Sequence, residues 1–206
     1  MKLLKKGILL VISGPSGVGK GTLIDRLLKD DPSFCLSTSV TTRQPRRDEV
    51  PGVSYFFISL AEYDKLSQED AFVEQAIVHG HQYGTLKSEI HGRIEKGINI
   101  VLDIDTQGFS KVKANIDECV SVFIMPPSIE DLRIRLCQRK SEKPEEMSKR
   151  LMNARNEIDQ APKYDYIIIN NDIDQAYKCL SSVIQAEKCS TKRHLPIIPE
   201  IRGGNV

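Results

Sequence analysis

An excess of charge of one sign is missing from this chain. Its 29 lysines and arginines stand against 28 aspartates and glutamates, a formal net charge of +1, so nothing general draws it to nucleic acid or to a membrane surface. Paired cysteines are missing as well. Cys35, Cys119, Cys137, Cys179 and Cys189 are odd in number, widely spaced and free of C-x-x-C pairs, which excludes a disulfide framework or a zinc site and fits reduced thiols in a cytoplasm. No apolar run approaches the roughly 20 residues that span a bilayer. His79, His81, His91 and His194 show no ligand spacing, and repeats and low-complexity tracts are absent.

What is present begins at the first apolar run. Ile8-Leu9-Leu10-Val11-Ile12 leads directly into Gly14-Pro15-Ser16-Gly17-Val18-Gly19-Lys20-Gly21, and the helical pattern of Thr22 to Leu28 follows. That order is strand, glycine loop, helix. Such a loop turns successive backbone N–H groups toward one point at a helix N-terminus, where the dipole favours a polyphosphate. Lys20 adds a full charge for the outer phosphates. A side chain at Gly14 or Gly19 would block the backbone from phosphate oxygens or strain a positive φ angle. Gly21 stands where G-x-x-x-x-G-K-[ST] expects a hydroxyl for Mg²⁺, so the ion is expected to be held mainly by phosphates and water. Thr22, one step later, suits an inner phosphate. The basic start Met1 to Lys6 resembles a secretory n-region, but cleavage after the apolar run would destroy the loop. The run is therefore expected to be the first buried strand of a cytoplasmic protein.

At 206 residues the chain has room for one good core. Further apolar runs, Ile98 to Ile104, Cys119 to Met125 and Tyr166 to Asn170, have the length and β-branched content of strands buried on both faces. Segments with helical spacing separate them, the signature of an α/β fold: a parallel sheet core flanked by helices. Ligands in such sheets bind beyond the carboxyl ends of strands, where Asp103, Asp105 and Asn170 fall. Residues Ser37 to Phe57 predict a small, mostly antiparallel insert, followed by a helix from Ala61 to Glu69. Ser128 to Asp159 predicts two charged helices joined near Pro144, and the tail from Arg193 to Val206 looks loosely held.

Within Ser39-Val40-Thr41-Thr42-Arg43-Gln44-Pro45-Arg46 two guanidiniums stand three residues apart beside hydroxyls, with Tyr55 across the turn at Pro51-Gly52. Two arginine forks with alcoholic and phenolic donors suit a phosphate monoester dianion. Arg46-Arg47-Asp48-Glu49 equally reads as a self-neutralising surface loop. Further on, Arg135 and Arg139 lie four apart on one helix face, and Arg150 follows in Lys149-Arg150-Leu151. Glu142, Glu145 and Glu146 are available to them as ordinary ion-pair partners.

Taken together, the glycine loop, Thr41-Thr42-Arg43-Gln44-Pro45-Arg46, Tyr83-Gly84-Thr85 and Leu102-Asp103-Ile104-Asp105-Thr106-Gln107-Gly108 resemble the guanylate kinase family, in the same order from the first strand to about Lys188. The resemblance implies a P-loop NTPase fold in three parts: an ATP-binding core (1–38, 98–127 and 160–206), a small mixed α/β GMP-binding domain (39–97), and a lid with flanking helices (128–159). It implies that Gly14, Pro15, Ser16, Gly17, Val18, Gly19, Lys20, Gly21, Thr22, Arg135, Arg139 and Asn170 hold ATP. Ser39, Arg43, Arg46, Tyr55 and Tyr83 would grip the GMP phosphate, and Glu74, Thr85 and Asp105 would read the guanine. Lys20, Arg43, Arg135 and Arg150 would stabilise the transferring phosphoryl, and Asp103 would orient the water shell of Mg²⁺. Read alone, Glu74 is also compatible with a surface helix, Asp103 with a helix cap and Asn170 with a turn. The family pattern departs after Arg135, where Arg139-Lys140-Ser141-Glu142-Lys143-Pro144 replaces a small, glycine-containing turn. The implied reaction passes the γ-phosphoryl of MgATP to GMP, and dGMP as a further acceptor; the expected partners are small nucleotides, with no nucleic acid and no membrane, and the chain is a monomer or homodimer.

Overall fold

Every residue of β1 (Leu9–Ser13) is buried, and its side chains alternate between two separate cores. Leu10 and Ile12 pack with Val101, Val122, Ile124, Leu132 and Leu180, whereas Leu9 and Val11 pack with Ile100, Leu102, Phe109 and Phe123. The period of two along a strand makes this division, and each such side chain withdrawn from water contributes about 1.5–3 kcal/mol. The structure is a computed structural model describing residues 6–78, 80–116, 118–138, 144–195, 198 and 202, the side chains of 78 and 144–146 excepted. The central sheet runs β2-β7-β1-β8-β9, built also from β2 (Phe34–Leu36), β7 (Asn99–Asp103), β8 (Val120–Met125) and β9 (Tyr166–Ile169). All four pairings are parallel. This is the α/β core expected from the continuous apolar runs, with the short β2 added at one edge.

Between β2 and β7 the chain builds a second sheet, ordered β4-β3-β6-β5, from β3 (Val40–Thr41), β4 (Phe56–Phe57), β5 (Phe72–Val78) and β6 (His81–Leu86). The pairs of β6 with β3 and with β5 are antiparallel, and β3 with β4 is parallel. Its own small core joins Val40, Tyr63 and Phe72, with Tyr63 stacked on Phe72 at 4.7 Å. Tyr63 belongs to α2 (Leu60–Gln68), which starts one residue earlier than the spacing predicted because Ser59 and Glu62 close a capping box there.

Four more helices position the site. α1 (Lys20–Asp30) follows the glycine loop, and α4 (Thr106–Asn115) follows β7, which the chain reaches from β6 through α3 (Lys87–Glu95). The charged segment forms α5 (Ile129–Gln138) and α6 (Pro144–Ile158), with Pro144 as the first residue of the second, where its missing N–H costs nothing. Residues 139–143 between them, Arg139 and Glu142 included, lie outside the described residues, as does His79. At the other end of the chain, α7 (Ile173–Lys188) is followed by the short α8 (Thr191–His194). The expected loose tail is anchored at its first residue: the Arg193 guanidinium donates to the carbonyls of Lys6 and Gly7, both at 3.2 Å.

Candidate active site

The glycine loop occupies the bend between β1, at the centre of the sheet, and α1. Gly14 has φ +148°, and a Cβ there would stand 2.2 Å from the Ile124 carbonyl of neighbouring β8, so only glycine lets the chain leave the sheet at this point. Lys20 opens α1, and its ammonium folds back to donate to the Gly14 carbonyl at 2.5 Å. This holds the charge over the mouth of the loop. Ser16, Gly21 and Thr22 are exposed there, while Pro15 and Val18 are buried beneath.

Asp103 closes β7, next to β1 in the sheet. It reaches solvent, yet burial by its neighbours raises its carboxyl pKa, with the charge of Lys20 pulling it back. The cap of α4 is formed by Asp105, whose Oδ1 accepts from the Gly108 N–H at 2.7 Å, not by Asp103. One carboxylate oxygen of Asp105 is thus committed to the helix, and its negative charge faces Glu74.

Glu74 lies on β5, not on a helix, and is 7 % exposed. It pairs in register with Thr85 of β6, whose hydroxyl donates to Glu74 Oε1 at 2.8 Å. The Ser39 hydroxyl stands 3.3 Å from that of Thr85. Burial raises the pKa of Glu74; the Thr85 hydrogen bond opposes this, and the charge of Asp105 adds to it. A buried acceptor with its partner hydroxyl and a second carboxylate nearby makes a surface for adjacent N–H donors.

A second cluster gathers around Tyr83, two residues before Thr85 on β6. Arg43 Nε donates to the Tyr83 hydroxyl at 3.1 Å, and its fork grips both oxygens of Glu49 at 2.9 and 2.8 Å. The guanidinium lies 5.4 Å from the Tyr55 ring centroid, and Tyr55 meets Tyr83 edge-on at 5.8 Å. The Tyr63 hydroxyl supports β6 by donating to the Tyr83 carbonyl at 2.9 Å; burial pushes its pKa up to about 12, so it stays a donor. Glu49 also accepts from the Arg46 N–H at 2.7 Å, and the hydrogen bonds from Arg43 and then Arg46 push its carboxyl down to about 2. The Arg46 side chain itself is exposed.

Glu49 is the residue that sequence reasoning passed over. Its only signal was the Arg46-Arg47-Asp48-Glu49 run, which suggested neutralisation of Arg46 and Arg47. The fold pairs it with Arg43 instead, because the loop turns back at Glu49, whose N–H reaches the Arg46 carbonyl at 3.1 Å.

Of the expected lid arginines, Arg150 lies on the exposed face of α6. Arg135 on α5 donates to the carbonyls of Asn170 and Asn171 at 2.8 and 3.5 Å. Asn170 is 4 % exposed, and its carboxamide turns inward to the glycine loop, not into the turn that follows β9. Among the described residues no group of His, Cys, Asp and Glu forms a metal cage, and no helix is long and apolar enough to cross a membrane.

A strand-loop-helix phosphate cradle with its lysine, at the centre of a parallel sheet and faced by an insert that carries arginine and carboxylate clusters, defines a P-loop nucleotide-binding protein. A sequence model of the family described as Guanylate kinase matches residues 6–187. The guanylate kinase of Caldanaerobacter subterraneus subsp. tengcongensis is 45 % identical over 206 residues, covering 100 % of both chains. That of Clostridium acetobutylicum is 44 % identical over 202 residues, 98 % of this chain and 96 % of its own. The crystal structure of guanylate kinase from Anaplasma phagocytophilum superposes with a TM-score of 0.72 at 33 % identity, covering 98 % of each chain. The chain belongs to the guanylate kinase family, whose reaction is the phosphorylation of GMP by ATP.

Proposed function

We propose that this chain passes the γ-phosphoryl of MgATP to the phosphate of GMP, with dGMP as a further acceptor, giving ADP and a guanosine diphosphate. The observation that carries the reading is the buried Glu74, held by Thr85 and faced by Asp105, in a molecule that also has the Lys20 loop. Guanine presents N1–H and an exocyclic amine as adjacent donors. Adenine has a lone pair at N1, which would leave a buried carboxylate badly paired.

The acceptor phosphate is already ionised, so no strong base is required. The work lies in aligning two polyanions and offsetting their charge. The loop N–H groups from Ser16 to Thr22 cradle the ATP phosphates and Lys20 meets the outer ones. Arg43, Arg46, Tyr55, Tyr83 and Ser39 orient GMP. Arg135, Arg139 and Arg150 serve the ATP side, and Arg135 and Arg150 share the charge of the group in transfer with Lys20 and Arg43. The core, the GMP-binding insert and the lid helices divide these tasks at the boundaries given by the sequence, and lid closure excludes water as a rival acceptor.

The residues fit Mg²⁺ carried in on ATP. Gly21 offers no hydroxyl, and Asp103 is a hard oxygen donor coupled to Lys20, as Glu157 also is; Asp103 would hold the ion through water. When bound, the ion would offset the negative charge of the phosphates. A cytoplasmic setting, as a monomer or homodimer free of nucleic acid and membrane, suits a small balanced chain acting on nucleotides.

The test is ADP release from MgATP with GMP, AMP, CMP and UMP offered in turn. GMP-selective turnover is expected. Turnover with another acceptor would remove Glu74 and Asp105 from base reading, and no turnover from folded protein that binds GMP would make the chain a binding module.

A further inference from the structure

Three contacts converge beneath the glycine loop. The Asn170 Nδ2 donates to the Val18 carbonyl at 2.7 Å, a buried hydrogen bond across 152 residues of sequence. A Cβ on Gly19, whose φ is +100°, would stand 2.5 Å from that same nitrogen. The main-chain carbonyl of Asn170 accepts from Arg135 at 2.8 Å. From the other side α5 lies against the loop: a Cβ on Gly17 would meet Leu136 Cδ2 at 2.7 Å. The loop therefore rests on the Asn170 carboxamide and on Leu136, with Leu132 beside it.

We propose that Asn170 is a positioning residue for phosphoryl transfer, fixing the loop through its side chain and Arg135 through its main chain. The inference rests on the reaction proposed above. The Val18 carbonyl has to point away from the phosphates so that the neighbouring N–H groups can point toward them. A buried carbonyl turned inward needs a donor, and Asn170 Nδ2 is that donor. Its close approach is possible because Gly19 carries no side chain. The second half of the residue acts on α5. With its guanidinium on the Asn170 carbonyl, Arg135 has a fixed starting point at the end of β9, beside the loop it is expected to serve. One residue thus sets both the cradle and the place from which a charge reaches it. This differs from a contact between Asn170 and the nucleoside of ATP, since the residue is 4 % exposed and its carboxamide nitrogen faces the loop.

The two roles separate with a ligand that has phosphates and no nucleoside. Affinities of MgATP, inorganic tripolyphosphate and GMP are measured by calorimetry for wild type, Asn170→Ala and Asn170→Leu, each confirmed folded by its thermal melt. The leucine variant is nearly isosteric and lacks a donor, so it reports even where the cavity left by alanine unfolds the chain. Loss of the loop's support weakens MgATP and tripolyphosphate by the same factor, about tenfold, and leaves GMP affinity unchanged. A loss confined to MgATP would assign Asn170 to the nucleoside and overturn the proposal. So would a parallel loss of GMP affinity, which marks general loosening, or no loss at all. GMP-dependent ADP release by the wild type is read separately, so a failure of the proposed reaction and a failure of the Asn170 assignment are distinct results.

Discussion

At the scale of single residues, the proposed guanine-reading carboxylate works against the fold that holds it. Burial and the charge of Asp105 raise the pKa of Glu74 above its ordinary value of 4.5. Between those two values the folded chain binds a proton that the unfolded chain releases, so the contribution of Glu74 to stability falls as pH rises through that window and stays low above it. Glu74→Gln is expected to melt a few degrees higher than wild type near neutral pH, with the gap closing as the pH drops below the ordinary carboxylate range. The same variant should lose about tenfold or more in its preference for GMP over AMP, measured as the ratio of kcat/KM for the two acceptors. Lys20 is the opposite kind of residue, its charge held over the loop and proposed to meet the ATP phosphates. Lys20→Met should lower kcat by about 10²–10³-fold with little change in the calorimetric affinity for GMP.

Elements show why some of this was legible in sequence and some was not. The phosphate loop could be read because its shape depends on eight contiguous residues, Gly14 to Gly21, flanked by a strand and a helix with plain periodicity. The core strands β1, β7, β8 and β9 could be read for the same reason. Three-residue β2 and two-residue β3 and β4 are too short for a period to show, and the parallel pairing of β3 with β4 depends on the course of the loop between them. Glu74 could not be placed on a strand because Phe72 and Val73 on its one side and Ala76, Ile77 and Val78 on its other hide the alternation. The engagement of Val18 by Asn170 is a tertiary fact with no local signal, and that of Arg43 by Glu49 depends on how the loop between them turns back. The tight joint between β1 and β8 gives a prediction at this scale. Gly14→Ala places a methyl 2.2 Å from the Ile124 carbonyl in a strained conformation, and is expected to cost about 1–3 kcal/mol in chemical denaturation and to weaken MgATP and tripolyphosphate together.

In the whole molecule α8 meets the segment that leads into β1, away from the proposed site. Arg193 of α8 ties down the carbonyls of Lys6 and Gly7, at the start of the strand that leads to the loop. Arg193→Ala should cost about 1–3 kcal/mol of stability while leaving kcat and both affinities as they were; a large fall in kcat would mean that this clasp reaches the loop. A different consequence follows from the arrangement of charge. The chain is nearly neutral overall, and Arg43 already carries the carboxylate of Glu49 on its fork. A GMP phosphate arriving at Arg43, as proposed, would therefore find little attraction from net charge at a distance and would exchange with Glu49 on contact. Capture rates for GMP should lie in the unsteered range, about 10⁵–10⁷ M⁻¹s⁻¹, and change little across 50–300 mM salt in stopped flow. Among the many polyanions of a cell such a site is inconspicuous from afar, and its discrimination is exercised at arm's length.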